Sequence, residues 1–247
     1  MRATFLGTWS AIPTGERAQS GVLVERDDAA LLVDCGSGVL ESLARTAVEP
    51  ADLDAVCLTH HHLDHASDLL ALAKARWLTG ADESLPVIGP PGTRELVADL
   101  LDAFDYLRGR VRVDARDVAD EFEAAGSDVA VYEPHHSDSL RSYAYRVDDS
   151  LTVSGDTPAD PGLAAFAADT TLVHDCSFPD DVESDAHATP SALGRTLAGH
   201  DYPAVYLTHL YPAADARGDE LAAAVRGAYG APLDVAVAAD GDAFTVV

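Results

Sequence analysis

The 247 residues, 47% of them hydrophobic, can bury a full core, and no Ser/Gly/Pro-rich bridge or shift of composition divides them, so one domain over 1–247 is expected. Forty-two acidic against 16 basic residues give a formal charge of −26, with Lys74 the only lysine, and a surface of that sign repels phosphate backbones, which argues against a general nucleic-acid binder. The acid is spread along the whole chain and not gathered in a tail, so it reads as a halophilic adaptation to high intracellular salt, where self-repulsion is screened.

The opening residues 1–7 carry a charge but too short an apolar run for a signal peptide, and no run of about 18 apolar residues exists to span a membrane. Residues 3–6, 21–25 and 31–33 read as strands, the last two separated by the polar turn Arg26-Asp27-Asp28. A helix over 39–46 stops before Pro50, and the apolar run 55–58 is a strand that leads into Thr59-His60-His61-His62-Leu63-Asp64-His65. Then come a helix to about 78, a strand at 87–88 stopped by Gly89-Pro90-Pro91-Gly92, and a helix over 93–104. Its stripe of Leu96, Val97, Leu100, Leu101 and Phe104 reads as core. Strands follow at 111–113, 129–132, 143–147, 151–154 and 171–173. A helix over 191–198, a strand at 205–207, a helix over 220–229 and strands at 235–237 and 244–246 complete the chain. Cys35, Cys57 and Cys176, an odd number in strand-like settings, read as buried thiols of a reducing compartment, with the cytoplasm as the simplest address.

The histidine-rich stretch carries the chemistry. Extended backbone after a strand sends His60 and His62 to one side and His61 to the other. Asp64 and His65 follow where the chain turns helical, so they approach a second point from another angle. One loop thus offers two half-sites, and imidazoles with a carboxylate suit a hydrolytic zinc, iron or manganese pair better than a closed structural site built on cysteines. A His-rich surface tract is the plain alternative, but it would sit in a polar tail and not at the end of a buried strand.

Thr-His-x-His-x-Asp-His after an apolar strand resembles the signature of the metallo-β-lactamase superfamily, and the opening Phe5-Leu6-Gly7-Thr8-Trp9-Ser10-Ala11-Ile12-Pro13-Thr14 with Arg17, then Asp34-Cys35-Gly36, resembles its ribonuclease Z-like branch. The resemblance spans essentially the whole chain. It implies an α/β fold, a four-layer αββα sandwich of two mixed sheets with helices outside. In it Asp34-Cys35-Gly36 supports the histidine loop. It also supplies later ligands at Pro134-His135-His136-Ser137, Ser154-Gly155-Asp156-Thr157 and Thr208-His209, with His136 preferred to His135 because a serine follows it. The implied set is His60, His62 and His136 on one ion and Asp64, His65 and His209 on the other, with Asp156 bridging. The ions are two Zn2+, with Mn2+ or Fe2+ as substitutes. Asp64 and His187 are the catalytic candidates, His187 because His187-Ala188-Thr189 resembles a His-Ser-Thr segment that protonates a leaving group or stabilises charge. Leu172-Val173-His174-Asp175-Cys176 reads as a structural strand end.

The resemblance implies a metal-dependent hydrolase using a metal-bound hydroxide, first of all a phosphodiesterase. In ribonuclease Z an arm that grips tRNA is inserted before the bridging aspartate, and here only nineteen residues, 137–155, separate His136 from Asp156. A small ester or phosphodiester is therefore the expected substrate, and folded tRNA is not. An ester, lactone or sulfate-ester hydrolase of the same fold is the first alternative, and a metal-binding scaffold or sensor without turnover is the second. The resemblance also carries the expectation of a homodimer.

Overall fold

The computed structural model of the chain describes residues 1–118 and 120–246. The first half lays down β1 (Arg2–Gly7), β2 (Gly21–Arg26), β3 (Ala29–Val33), β4 (Ala55–Cys57), β5 (Leu85–Gly89) and β6 (Val113–Asp117). The first three strands pair antiparallel, and β3 to β6 pair parallel, which requires crossovers. Helices α1 (Val39–Leu43), α2 (Leu63–Ala66), α3 (Leu69–Leu78) and α4 (Thr93–Ala103) lie in those connections.

The second half repeats the plan. Strands β7 (Phe122–Ala124), β8 (Ser127–Tyr132), β9 (Ala144–Val147) and β10 (Leu151–Val153) meander antiparallel. From β10 through β11 (Thr171–Asp175) and β12 (Val205–Thr208) to β13 (Val235–Val237) the pairing is parallel. The intervening helices are α5 (Pro161–Phe166), α6 (Pro190–Leu197), α7 (Pro212–Asp215) and α8 (Gly218–Tyr229). Finally β14 (Ala243–Thr245) returns to pair with β1, so the ends of the chain close one sheet.

Period-two alternation decides the layers. Val22 and Val24 turn inward, where Phe5, Val33 and Ile88 meet Tyr143, Tyr145, Val147 and Val173 of the other sheet. Leu23 and Leu32 turn outward beneath Leu43, Leu69, Leu72 and Val97, whereas Leu172, Val205 and Leu207 of the second sheet face Leu193, Leu197, Leu221 and Val225. The result is the four-layer αββα sandwich. Among the described residues no helix is long and apolar enough to cross a membrane.

Some local expectations shift. The strand expected at 111–113 lies at Val113–Asp117, where only Val113 and Ala115 pack against the outer core and Asp114, Arg116 and Asp117 give this last strand of its sheet the polarity of an edge. The helix after the histidine loop is broken into α2 and α3, and Phe104, at the end of the α4 stripe, is 50% exposed and not core. β7, α5 and α7 were not legible. Each is six residues or fewer, too short to show a period.

Candidate metal centre

The two sheets present the C-terminal ends of their parallel strands at one rim. β3 ends in Asp34 and the adjacent β4 runs into Thr59-His60, while β10, β11 and β12 lead to Asp156, Asp175 and His209. The sheets are stitched together beneath the rim, where the Tyr143 amide donates to the Thr59 carbonyl at 2.8 Å and the Tyr145 hydroxyl to the Leu58 carbonyl at 2.7 Å. Close approach dictates two glycines. A Cβ on Gly36 would lie 2.0 Å from the Asp64 carbonyl oxygen, and Gly155, at φ 62°, has room for none between Thr59 and Tyr143. His209 also holds a positive φ, 60°, at a cost of about 1–3 kcal/mol. Its fully buried neighbours Leu207 and Leu210 offset that, each contributing about 1.5–3 kcal/mol.

The seven residues singled out as ligands converge. His60, His62, His136 and Asp156 offer ligand atoms within 4.8 Å of one another, and so do Asp64, His65, Asp156 and His209. In the first group His62 Nδ1 stands 2.9 Å from His60 Nε2 and 3.4 Å from His136 Nε2. In the second, His209 Nε2 is 3.1 Å from Asp64 Oδ2 and 3.3 Å from Asp156 Oδ2, and His65 Nε2 is 3.3 Å from Asp156 Oδ1. Asp156 therefore belongs to both. His135 does not join either group: its side chain is 71% exposed, against 3% for His136.

Outer hydrogen bonds fix how the rings are protonated. The Thr59 hydroxyl gives its one proton to Asp34, so it accepts from His60 Nδ1 at 3.1 Å, and Asp34 Oδ2 accepts from His65 Nδ1 at 2.8 Å. His136 Nδ1 donates to the Ala186 carbonyl at 3.0 Å, and His209 Nδ1 lies 2.9 Å from the Ser177 hydroxyl. Each of these rings turns its other nitrogen, as a lone pair, toward carboxylate oxygens or a neighbouring imidazole. Lone pairs so crowded repel unless a cation lies between them, and nitrogen-and-carboxylate sets of this kind fit divalent transition ions. The electrostatics show how strongly the carboxylates draw positive charge to this place. Burial pushes the Asp156 carboxyl up, but His209 and His65 outweigh it and hold it well below the usual range. Burial disfavours a charge on His65, but Asp156 and Asp34 raise it well above the ordinary imidazole value, while burial and that neighbour press His60 well below it. The carboxylates thus attract either a proton or a cation.

His187 stands beside both groups, its ring 5.2 Å from His136 and stacked 5.3 Å from His209. Its Nδ1 donates to Asp175 Oδ2 at 2.7 Å. Burial opposes a charge on this ring, but the hydrogen bond and charge of Asp175 prevail and raise it to about 9. Asp175, read from the sequence as part of a structural strand end, and Ser177, which was not singled out, also line the centre through His187 and His209. Their signal was present, a carboxylate at a strand end, but only the order β10-β11-β12 puts that end between Asp156 and His209.

Residues 1–220 match the family model described as anti-Pycsar protein Apyc1. The chain is 33% identical to a protein named ribonuclease Z from Mycobacterium avium, over 89% of each sequence. The chain belongs to the anti-Pycsar protein Apyc1 family and, with it, to the ribonuclease Z-like branch of the metallo-β-lactamase superfamily. Among solved structures it superposes on the metallo-β-lactamase fold protein YhfI of Bacillus subtilis with a TM-score of 0.82 at 25% identity, covering 98% of both chains. Human tRNase Z, short form, superposes with a TM-score of 0.79 at 17% identity, covering 100% of both, a likeness of fold. As a member of the ribonuclease Z-like branch the protein is a metal-dependent hydrolase of the ribonuclease Z and phosphodiesterase type.

Proposed function

We propose that the chain hydrolyses small phosphodiesters, with two zinc ions held by His60, His62 and His136 on one side, Asp64, His65 and His209 on the other, and Asp156 between. When bound, such a pair supplies Lewis-acid polarisation of the phosphoryl group and acidifies a water. The chain's own residues do the rest. Asp64 has a second carboxylate oxygen to accept a hydrogen bond from the attacking water and orient it. His187, charged through its pairing with Asp175, donates a proton to the departing oxygen from its free ring nitrogen, Nε2. Asp175 keeps that ring in place as the proton leaves.

The short path from His136 to Asp156 carries the choice of a small substrate. After the loop 137–143 it is filled by β9 and β10, a tight antiparallel hairpin with no arm extending from it. The segment before His187 adds a barrier, since Asp180, Asp181, Glu183 and Asp185 are all exposed there and repel a polyanion. A second reading, cleavage of precursor tRNA, is favoured by the name ribonuclease Z, borne by relatives matched over 89% of their own length. Incubation of metal-loaded protein with an aryl phosphodiester, a cyclic phosphodiester, a lactone, a sulfate ester and a 3′-extended precursor tRNA, at low and multimolar salt, separates the readings. Turnover of the small diesters alone is expected. Efficient cleavage of the precursor at its discriminator would sink the proposal, and hydrolysis of a lactone or sulfate ester alone would replace it with the carbon- or sulfur-ester reading.

A further inference from the structure

Ser177 is fully buried between the end of β11 and the end of β12, and its hydroxyl has more neighbours than a loop tether needs. Its oxygen lies 2.6 Å from Asp175 Oδ1, 2.9 Å from His209 Nδ1, 2.8 Å from the His209 carbonyl and 3.3 Å from His187 Nδ1. A hydroxyl has one proton to give. The shortest contact, to a buried carboxylate, claims it, since charge-assisted bonds are the strong ones. The oxygen is then an acceptor toward His209 Nδ1, which must carry hydrogen, and His209 Nε2 is left as a lone pair toward Asp64 and Asp156. Asp175 takes the His187 Nδ1 proton on its other oxygen at 2.7 Å. Asp34 and Thr59 repeat this arrangement on the opposite sheet: the hydroxyl donates to the carboxylate and accepts from one histidine, and the carboxylate accepts directly from another.

The geometry points to Ser177 as a positioning residue that both fixes His209 for the second ion and, through Asp175, ties that ion's ligand to the proton donor His187. The inference rests on the reading of His209 as a ligand and His187 as the donor, and it adds a coupling that neither assignment contains. A metal ligand is strengthened when the acceptor of its outer N–H carries negative charge. Ser177 relays that charge from Asp175, and His187 draws on the same carboxylate. Replacing His187 should therefore alter the binding of the second ion, but only while Ser177 is present to transmit the change.

The experiment is a double-mutant cycle read by metal content. Wild type, Ser177→Ala, Ser177→Thr, His187→Ala and the double variant Ser177→Ala/His187→Ala are equilibrated with graded zinc chelator and their bound zinc is measured, with the visible spectrum of the cobalt-substituted forms as a second readout. Ser177→Ala should weaken one ion of the two by about 10–100-fold and change one cobalt environment, and Ser177→Thr should restore both. His187→Ala should shift the affinity of that ion in the serine background and leave it unchanged in the alanine background. Two ions retained in Ser177→Ala at wild-type affinity, or effects of the two substitutions that add within about twofold, would overturn the coupling and leave the metal assignment standing. A wild type that binds fewer than two ions would overturn the metal assignment, and the coupling with it.

Discussion

The two sheets carry the same small assembly at their rims and use it differently. On the first sheet the Asp34 carboxylate, at the end of β3, holds the Thr59 hydroxyl and His65, and Thr59 in turn holds His60. On the second the Asp175 carboxylate, at the end of β11, holds the Ser177 hydroxyl and His187, and Ser177 holds His209. The histidine held through the hydroxyl belongs to a group of converging ligand atoms in both. The difference lies in the histidine held directly: His65 is buried with its far nitrogen 3.3 Å from Asp156, whereas His187 is only partly buried and stacks on His209. In the proposed centre one arrangement of groups thus braces a ligand on one sheet and arms an acid on the other, and the second nitrogen of His65 has a carboxylate partner, Asp156, to face.

The largest expected effect breaks the comparison at the residue both halves share. Asp156→Ala removes the carboxylate common to the two groups and should lose both ions and all turnover, read by elemental analysis of protein purified without chelator. Reproducible retention of both ions would mean that Asp156 does not bridge. A smaller effect tests the two directly held histidines against each other. His65→Ala should lose one ion, whereas His187→Ala should keep two and lower kcat by about 10²–10⁴-fold, the usual contribution of a positioned acid. Equal metal loss in the two variants would make His187 a ligand like His65, a result that its place with Asp156, Asp175 and His209 in a third group of converging atoms makes measurable. The smallest effect is in the pH profile. Burial disfavours the His187 charge, yet Asp175 raises the ring from 6.5 to about 9, so the donor form is present below that value and is lost as pH rises through it. The alkaline limb of kcat should fall near 9, and in Asp175→Asn it should move to lower pH, because burial is then opposed only by the weaker pull of Asp156. An unmoved limb would assign it to another group.

Much of the fold was legible because its signals are local. Alternating runs such as 21–25 and 31–33 mark strands by themselves, and apolar strands followed by histidine or aspartate mark where a site must open. β6 was misplaced for the converse reason, since an edge strand buries little and only the small apolar face of Val113 and Ala115 marks it among charged residues.

The amino-acid sequence determined the fold class and six of the converging side chains, His60, His62, Asp64, His65, Asp156 and His209, because the Thr-His-x-His-x-Asp-His loop is readable within a few residues and the family it resembles implies the Gly-Asp and Thr-His strand ends. Tertiary structure decided three things that no local run contains. It turned His136 inward and left His135 in solvent, because the Ala186 carbonyl, fifty residues along the chain, is what holds the His136 ring. It gave Asp34 its two partners, Thr59 and His65, across the parallel pairing of β3 with β4. It also made Asp175 and Ser177 part of the centre by inserting β11 between β10 and β12, an order set by how the second sheet buries both of its faces and not by any property of the residues at its rim.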